Sequence, residues 1–237
     1  ALRDKTIVVI GGSTGIGFAV AKKAVKAGGK VVIGARDPAR LEQAAITLGE
    51  RSTALEVDTS DIQSLATFFR AIGAFDHLFV PAATYTVVGL DSDDIEAIES
   101  PFRSKFWGQY WAVKQAVPHL NKAGSITLMA GAASARPIKG GAVYAACNSA
   151  IEGLGRGLAI DLAPIRVNTI SPGTIDGHLW QNRPQEIREM AYEHYRQNSL
   201  VGRPGTESEI ADTVLYLMGN RFVTGSNLYP DGGYALR

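Results

Sequence analysis

One cysteine, Cys147, in a chain of 237 residues leaves no internal disulfide to staple the fold, and a lone thiol fits a reducing compartment. An excess of one charge is also missing. The 24 Lys and Arg against 23 Asp and Glu give a formal charge of +1, which supplies neither the basic face that nucleic acid requires nor attraction to an anionic membrane. The chain contains no stretch of about 18 consecutive apolar residues to span a bilayer. The opening ALRDKTIVVI runs from charges straight into an apolar segment, so no secretory leader is expected and the expected compartment is the cytoplasm. No set of His, Cys, Asp and Glu has metal-ligand spacing. No Pro/Gly/Ser-rich linker, charge block or repeat divides the chain, which predicts one domain over residues 1–237. A chain of this length buries about three quarters of its unfolded surface, and the expected partner is a small molecule.

What is present is alternation. Short Val- and Ile-rich runs at Ile7–Ile10, Val31–Ile33, Leu78–Val80, Ile126–Met129 and Ile165–Ile170 are separated by longer segments of helical character, the rhythm of βαβ units. Strands that are apolar throughout are buried on both faces. The fold class is therefore α/β, a doubly wound parallel sheet with helices on each side. Helix starts are predicted at Asp37-Pro38 and Ser100-Pro101, with capping boxes at Ser60/Gln63 and Thr206/Glu209. Residues of roughly 174–204 interrupt the rhythm with a polar, aromatic-containing helix, expected as an insertion over the carboxyl edge of the sheet.

The first chemical motif is IVVIGGSTGIGFAVAKKAVKAGG, residues 7–29. Gly11, Gly15 and Gly17 separate a buried strand from an amphipathic helix, where a tight turn and close backbone approach suit a pyrophosphate. Unpaired amides at the helix start bind an anion without a charged side chain. The same glycines would also serve a plain strand-to-helix turn. The next strand, Val31–Ile33, follows at the βαβ distance and favours the dinucleotide reading.

The spacing Gly-x-x-x-Gly-x-Gly resembles the short-chain dehydrogenase/reductase family, and further stretches match in order along nearly the whole chain: VDTSD from Val57, IRVNTISPG from Ile165, and the closing Asp231-Gly232-Gly233. The resemblance implies a Rossmann-like sheet of about seven strands and a nicotinamide cofactor. It places Ser13, Thr14 and Ile16 in the phosphate loop, Asp58 and Thr59 near the adenine, Ala82 beside the cofactor, and Pro172, Gly173 and Ile175 along the nicotinamide. At the end of the second strand, where a carboxylate would hold a free ribose diol, Ala35 is followed by Arg36. A guanidinium is suited to a 2'-phosphate, so NADP(H) is expected over NAD(H).

In the catalytic set the sequence departs from the family. The resemblance implies a Ser, a Tyr, a Lys four residues after the Tyr, and an Asn on the preceding long helix. Here the Tyr is Tyr144, but the Ser position falls on Gly131, the Lys position on Asn148 and the Asn position on Lys105. Lys and Asn have exchanged places. Ionising a free phenol near neutrality costs about 4 kcal/mol, whereas reducing a carbonyl needs only the proton a neutral Tyr144 already carries. Losing one oxyanion donor typically costs about 100- to 1000-fold; Ser134, three residues past Gly131, is a candidate substitute.

Two functions follow. The first is an NADP-dependent oxidoreductase that reduces a carbonyl compound, with Tyr144 as acid and Lys105 and Asn148 completing the site. The alternative is an NADP-binding sensor or scaffold that has lost turnover. His178 and Trp180 are pocket candidates, and His194 is expected at the surface. The aromatic residues Trp107, Tyr110 and Trp111 suit helix packing in a homodimer or homotetramer.

Overall fold

Ile7 and Val9 face one side of the first strand, Val8 and Ile10 the other, and all four are buried, so layers of helix must cover both faces. The computed structural model describes residues 2–237. In chain order the elements are β1 (Thr6–Ile10), α1 (Gly15–Lys26), β2 (Lys30–Ala35), α2 (Pro38–Leu48), β3 (Ser52–Glu56), α3 (Ile62–Ile72), β4 (Phe75–Val80) and α4 (Ile95–Ser100). A wide π turn (Pro101–Phe106) then runs into α5 (Trp107–Ala116), followed by β5 (Leu120–Met129), α6 (Ala142–Asp161) and β6 (Arg166–Ile170). The remainder is β7 (Ile175–Asp176), α7 (His178–Gln181), α8 (Gln185–Asn198), β8 (Gly205–Thr206), α9 (Glu207–Gly219) and β9 (Asn227–Leu228).

Seven strands form one sheet in the order β3-β2-β1-β4-β5-β6-β9, parallel throughout, with Ile7 opposite both Val31 and His77. The fold is Rossmann-like. Helices α3, α5 and α6 cover Val8, Ile10, Leu78, Ile126 and Leu128. Helices α1, α2 and α9 cover Ile7, Val9, Ile33, Phe79 and Ile170. Each such side chain contributes about 1.5–3 kcal/mol on full burial. The winding reverses between β1 and β4, and in such sheets the crevice beyond the carboxyl ends at that point receives the ligand.

Neither Ser52–Glu56 nor Asn227–Leu228 stands out as an apolar run, because both lie at edges of the sheet and neither contains a fully buried residue. Two predicted caps hold: Asp37 accepts from the Ala39 and Arg40 amides, and Thr206 and Glu209 form a reciprocal capping box. Two are corrected. Asp61, not Ser60, caps α3 by accepting from the Gln63 and Ser64 amides, while Ser60 donates to Asp58. Ser100-Pro101 is not a capped start of a separate helix: Ser100 is itself helical and makes no cap hydrogen bond, and Pro101 is the first residue of the π turn. Helix α4 starts at Ile95 under Asp94, and the proline, lacking an N–H, falls where the helix widens into the π turn. Between β6 and α9, residues 174–204 hold the β7 strand, α7 and α8. Among the described residues no helix is long and apolar enough to cross a membrane.

Candidate active site

The carboxyl ends of β1, β4, β5 and β6 converge on a cleft of about 290 Å³, bordered by the glycine loop on one side and by α7 on another. Gly11, Thr14, Gly15, Ile16, Gly17, Ala82, Pro172, Gly173 and Ile175 all line it. The glycines are needed for space. A Cβ on Gly17 would overlap the Gly11 carbonyl oxygen, and one on Gly11, which has φ +95°, would sit 2.8 Å from the Ala82 nitrogen. Thr14 caps α1 without a side-chain hydrogen bond and the first turn carries no acidic residue, so the amides at this end are free for a phosphate. The Glu207 carboxylate also lines the cleft. It accepts from the His178 amide at 2.6 Å and so fastens α7 to the start of α9.

Ser13, Arg36, Asp58 and Thr59 lie outside this lining. Ser13 borders a shallow groove with Ala39, Arg40, Gln43 and Thr47, which brings in Arg40, a residue the sequence did not single out. Arg36 is exposed and donates to the Thr84 hydroxyl at 3.0 Å. The Asp58 carboxyl is held below its ordinary value chiefly by the Ser60 hydroxyl and amide, against a small opposing effect of burial, with the Arg36 charge assisting. Thr59 lies against Gly108 of α5. Asp37, next to Arg36 in the sequence, is occupied: one oxygen caps α2 and the other pairs with Arg40 at 3.3 Å.

At the other end of the cleft Lys105, Tyr144 and Asn148 come together. Lys105 is only 3% exposed. Its ammonium donates to the Ala130 carbonyl at 2.8 Å and to Asn148 Oδ1 at 2.6 Å, and it lies 5.1 Å from the centre of the Tyr144 ring. Asn148 Nδ2 in turn donates to the Tyr144 carbonyl at 2.9 Å. The π turn delivers the lysine: the Trp107 amide bonds back to Phe102 O, a five-residue step that is rare and recurs at functional sites. Gln109, buried on α5, then clamps this turn to β5. Its amide donates to Lys105 O and Met129 O and accepts from the Met129 N–H. No sequence pattern marked Gln109.

Burial pushes the Tyr144 phenol upward, but the Lys105 ammonium, a hydrogen bond from Tyr85 and Asn148 together reverse that effect and hold it below the ordinary tyrosine value. A buried ammonium without a carboxylate partner is costly, and such arrangements concentrate at functional sites.

Gly131 faces this set. A Cβ there would lie 3.2 Å from Asn148 Oδ1 and 3.4 Å from the Tyr144 hydroxyl. Ser134 does not replace the missing hydroxyl: it donates to Glu152 and lies 3.2 Å from the Tyr229 hydroxyl, because the short helical turn at Ala132–Ser134 carries it away from the cleft. His178 and Trp180 line the cleft, His194 is exposed, and Trp107, Tyr110 and Trp111 pack on one another.

A family model described as enoyl-(acyl carrier protein) reductase matches residues 11–235. The short-chain dehydrogenase/reductase ATR9 of Stachybotrys chlorohalonatus is 32% identical, over 100% of this chain and 99% of its own. A cyclic-di-GMP-binding biofilm dispersal mediator protein of Escherichia coli is also 32% identical, over 99% of this chain and 98% of its own. A solved small-chain dehydrogenase in complex with NADPH has a TM-score of 0.82 at 32% identity, covering 99% of this chain and 100% of that one. A match along nearly the full length, joined to the glycine loop and the parallel sheet, means that the chain belongs to the short-chain dehydrogenase/reductase family.

Proposed function

We propose that the protein is an NADP(H)-dependent reductase of carbonyl compounds in which Tyr144 donates the proton and Lys105 supplies, from a neighbouring helix, the positive charge that position 148 gave up. The observation that carries this reading is the buried Lys105 ammonium, bonded to Asn148 and set against the Tyr144 ring. The glycine loop packs its backbone too closely at Gly11 and Gly17 for any side chain and leaves the helix-start amides without a side-chain cap, which fits a dinucleotide diphosphate; such a cofactor, when bound, would supply a hydride to the carbonyl carbon. The 2'-phosphate is assigned to Arg36, with Ser13 and Arg40 beside the glycine loop; Ala35 stands where a carboxylate would hold a ribose diol.

The residues then divide the work. Tyr144 hydrogen-bonds the carbonyl oxygen and yields its proton as the oxygen becomes an alcohol. Lys105 stabilises the phenolate left behind, since an ammonium near a phenol favours its ionised form. Asn148 orients Lys105 through the 2.6 Å bond. Leu179 and Trp180 bring apolar surface to the cleft, which suits a carbonyl compound with a hydrophobic body.

Consumption of NADPH followed by nicotinamide absorbance, across a panel of aldehydes, ketones and quinones, tests the reading. Lys105→Ala and Tyr144→Phe should each remove most turnover while leaving NADPH binding nearly intact. The double variant should be little worse than either, because residues that act as a unit are non-additive. A Lys105→Ala protein with unchanged kcat overturns the proposed role of the lysine. The second reading, a nucleotide-binding sensor, draws on the empty Gly131 position and on the binding activity named for the Escherichia coli relative. Dinucleotide binding without hydride consumption by any substrate in the panel would favour it.

A further inference from the structure

Residues 81–94, between β4 and α4, contain no regular secondary structure, yet one side chain from this stretch is set firmly into the site. The Thr84 amide donates to the Ser104 hydroxyl at 2.7 Å and the Thr86 amide to the Ser100 hydroxyl at 2.9 Å. Tyr85 is therefore pinned from both flanks to α4 and the π turn. Its ring stacks on Tyr144, with centres 5.2 Å apart and planes at 23°, and its hydroxyl donates to the Tyr144 hydroxyl at 3.2 Å. The Lys105 ammonium lies 5.6 Å from the Tyr85 ring, and Tyr85 lines the same cleft as Tyr144 and Gly131.

From this geometry we propose that Tyr85 is a further catalytic residue, a second phenol that hydrogen-bonds the substrate oxygen in place of the hydroxyl absent at Gly131. The assignment rests on the carbonyl-reductase reading. An oxygen that accepts from Tyr144 is within reach of a hydroxyl 3.2 Å away, and a side chain serving only to stack would need no oxygen. The two phenols hold distinct roles. Burial and the adjacent Tyr144 keep Tyr85 protonated far into the alkaline range, while Tyr144 is held below its ordinary value. Tyr85 is thus the permanent donor and Tyr144 the proton source. As the hydride bonds to the carbonyl carbon, the Tyr144 O–H bond breaks and its proton completes the alcohol. Tyr85 and Lys105 then hold the Tyr144 phenolate until solvent returns a proton.

The test compares wild type, Tyr85→Phe, Tyr144→Phe and Tyr85→Phe/Gly131→Ser, with NADPH and 9,10-phenanthrenequinone as the carbonyl probe. Tyr85→Phe retains the ring and should keep its melting temperature and NADPH affinity while losing kcat by about 100-fold, the usual cost of one oxyanion donor. With no substrate bound the Tyr85 hydroxyl donates to Tyr144, so in Tyr85→Phe the Tyr144 phenol titrates higher and the alkaline fall of kcat/KM, which reports the free enzyme, moves to higher pH. The phenolate absorbance that is present in wild type and lost in Tyr144→Phe moves with it. Gly131 has an extended backbone that serine can adopt, and in the double variant the new hydroxyl should recover about tenfold, of the order of one hydrogen bond. Wild-type turnover with unchanged kcat in Tyr85→Phe overturns this assignment alone. A loss of kcat with both titrations unmoved and no recovery by Gly131→Ser shows a packing role and overturns it too. Absence of wild-type turnover over the whole carbonyl panel overturns the carbonyl-reductase reading together with it.

Discussion

The two ends of the cleft are built on opposite principles. At the glycine loop, close backbone packing dictates residue identity: nothing but glycine fits at position 17 beside the Gly11 carbonyl. At the Tyr144 end an ammonium is held near a phenol, and a charge can arrive from more than one element. The π turn before α5 and the fourth residue after Tyr144 on α6 reach the same point, where Lys105 meets Asn148 at 2.6 Å. A steric requirement fixes sequence positions, whereas an electrostatic one fixes a place in space and leaves open which position fills it.

The sharpest way to break the steric half is Gly17→Val. Its side chain would overlap backbone rather than a flexible neighbour, so a loss of about 3 kcal/mol or more is expected, read as a lower denaturant midpoint together with lost NADPH binding. The electrostatic half is tested by exchange. Asn148→Lys alone places a second ammonium beside Lys105 and should destabilise strongly, by about 3 kcal/mol or more for an uncompensated buried charge. Lys105→Asn alone should lose most turnover. The double exchange, Lys105→Asn with Asn148→Lys, should restore folding and bring kcat back to within about tenfold of wild type, showing by the size of its coupling energy that the pair works as one unit.

A smaller effect concerns pH. Proton donation needs neutral Tyr144, so reduction is at its full rate below the phenol's pKa and falls as pH rises through it. Because that pKa is lowered with Lys105 as the leading favourable cause, Lys105→Met should shift the fall to higher pH in whatever activity remains; a limb that stays in place would show that the ammonium does not act on the phenol.

At the cofactor end, Arg36→Ala should weaken NADPH binding by about tenfold, as expected for a charge-assisted contact of roughly 1.5 kcal/mol, and leave NADH unchanged by calorimetric titration. Equal wild-type affinities for the two dinucleotides would remove the basis for assigning Arg36 to the 2'-phosphate. The smallest expected effect is at Glu207. Glu207→Gln keeps an acceptor for the His178 amide while removing a negative charge near the phosphate cradle, and should tighten NADPH binding by about 2- to 5-fold, in line with a screened Coulomb term near 1 kcal/mol.

Much of this architecture was legible because its causes are local. The β1, glycine loop and α1 sequence follows from apolar run, turn and amphipathic period, and the capping box at Thr206 is spelled by residues three apart. The exchange at positions 105 and 148 was legible only against the family pattern. Tyr85 was not legible at all. It belongs to a stretch without period, and its position depends on Ser100 and Ser104 hydroxyls gripping the Thr86 and Thr84 amides, contacts between segments that no local pattern encodes. One signal was available: an aromatic residue with a polar tip, a few residues past the carboxyl end of a central strand, lies where this class of sheet places ligands. Ser60 and Ser100 misled for a related reason. Each had the right composition for a cap, but Asp61 and Asp94 stood in competition with them, and each carboxylate accepts amide hydrogen bonds at its helix start.

The π turn has a consequence for how this helix divides its directions. Each residue of an α-helix advances about 100° around the axis, and a turn closed over five residues instead of four inserts one such step. Everything from Trp107 onward is therefore rotated relative to what precedes it, as if two helices of different phase had been joined end to end. The first half aims Lys105 inward, where it is 3% exposed, and the second begins with Trp107 turned outward at 46% exposed. A single rod thus serves a buried site and an outer surface as two independently set dials, and Gln109, fastened to both Lys105 and Met129, is the pin that keeps the first from slipping when the second is changed.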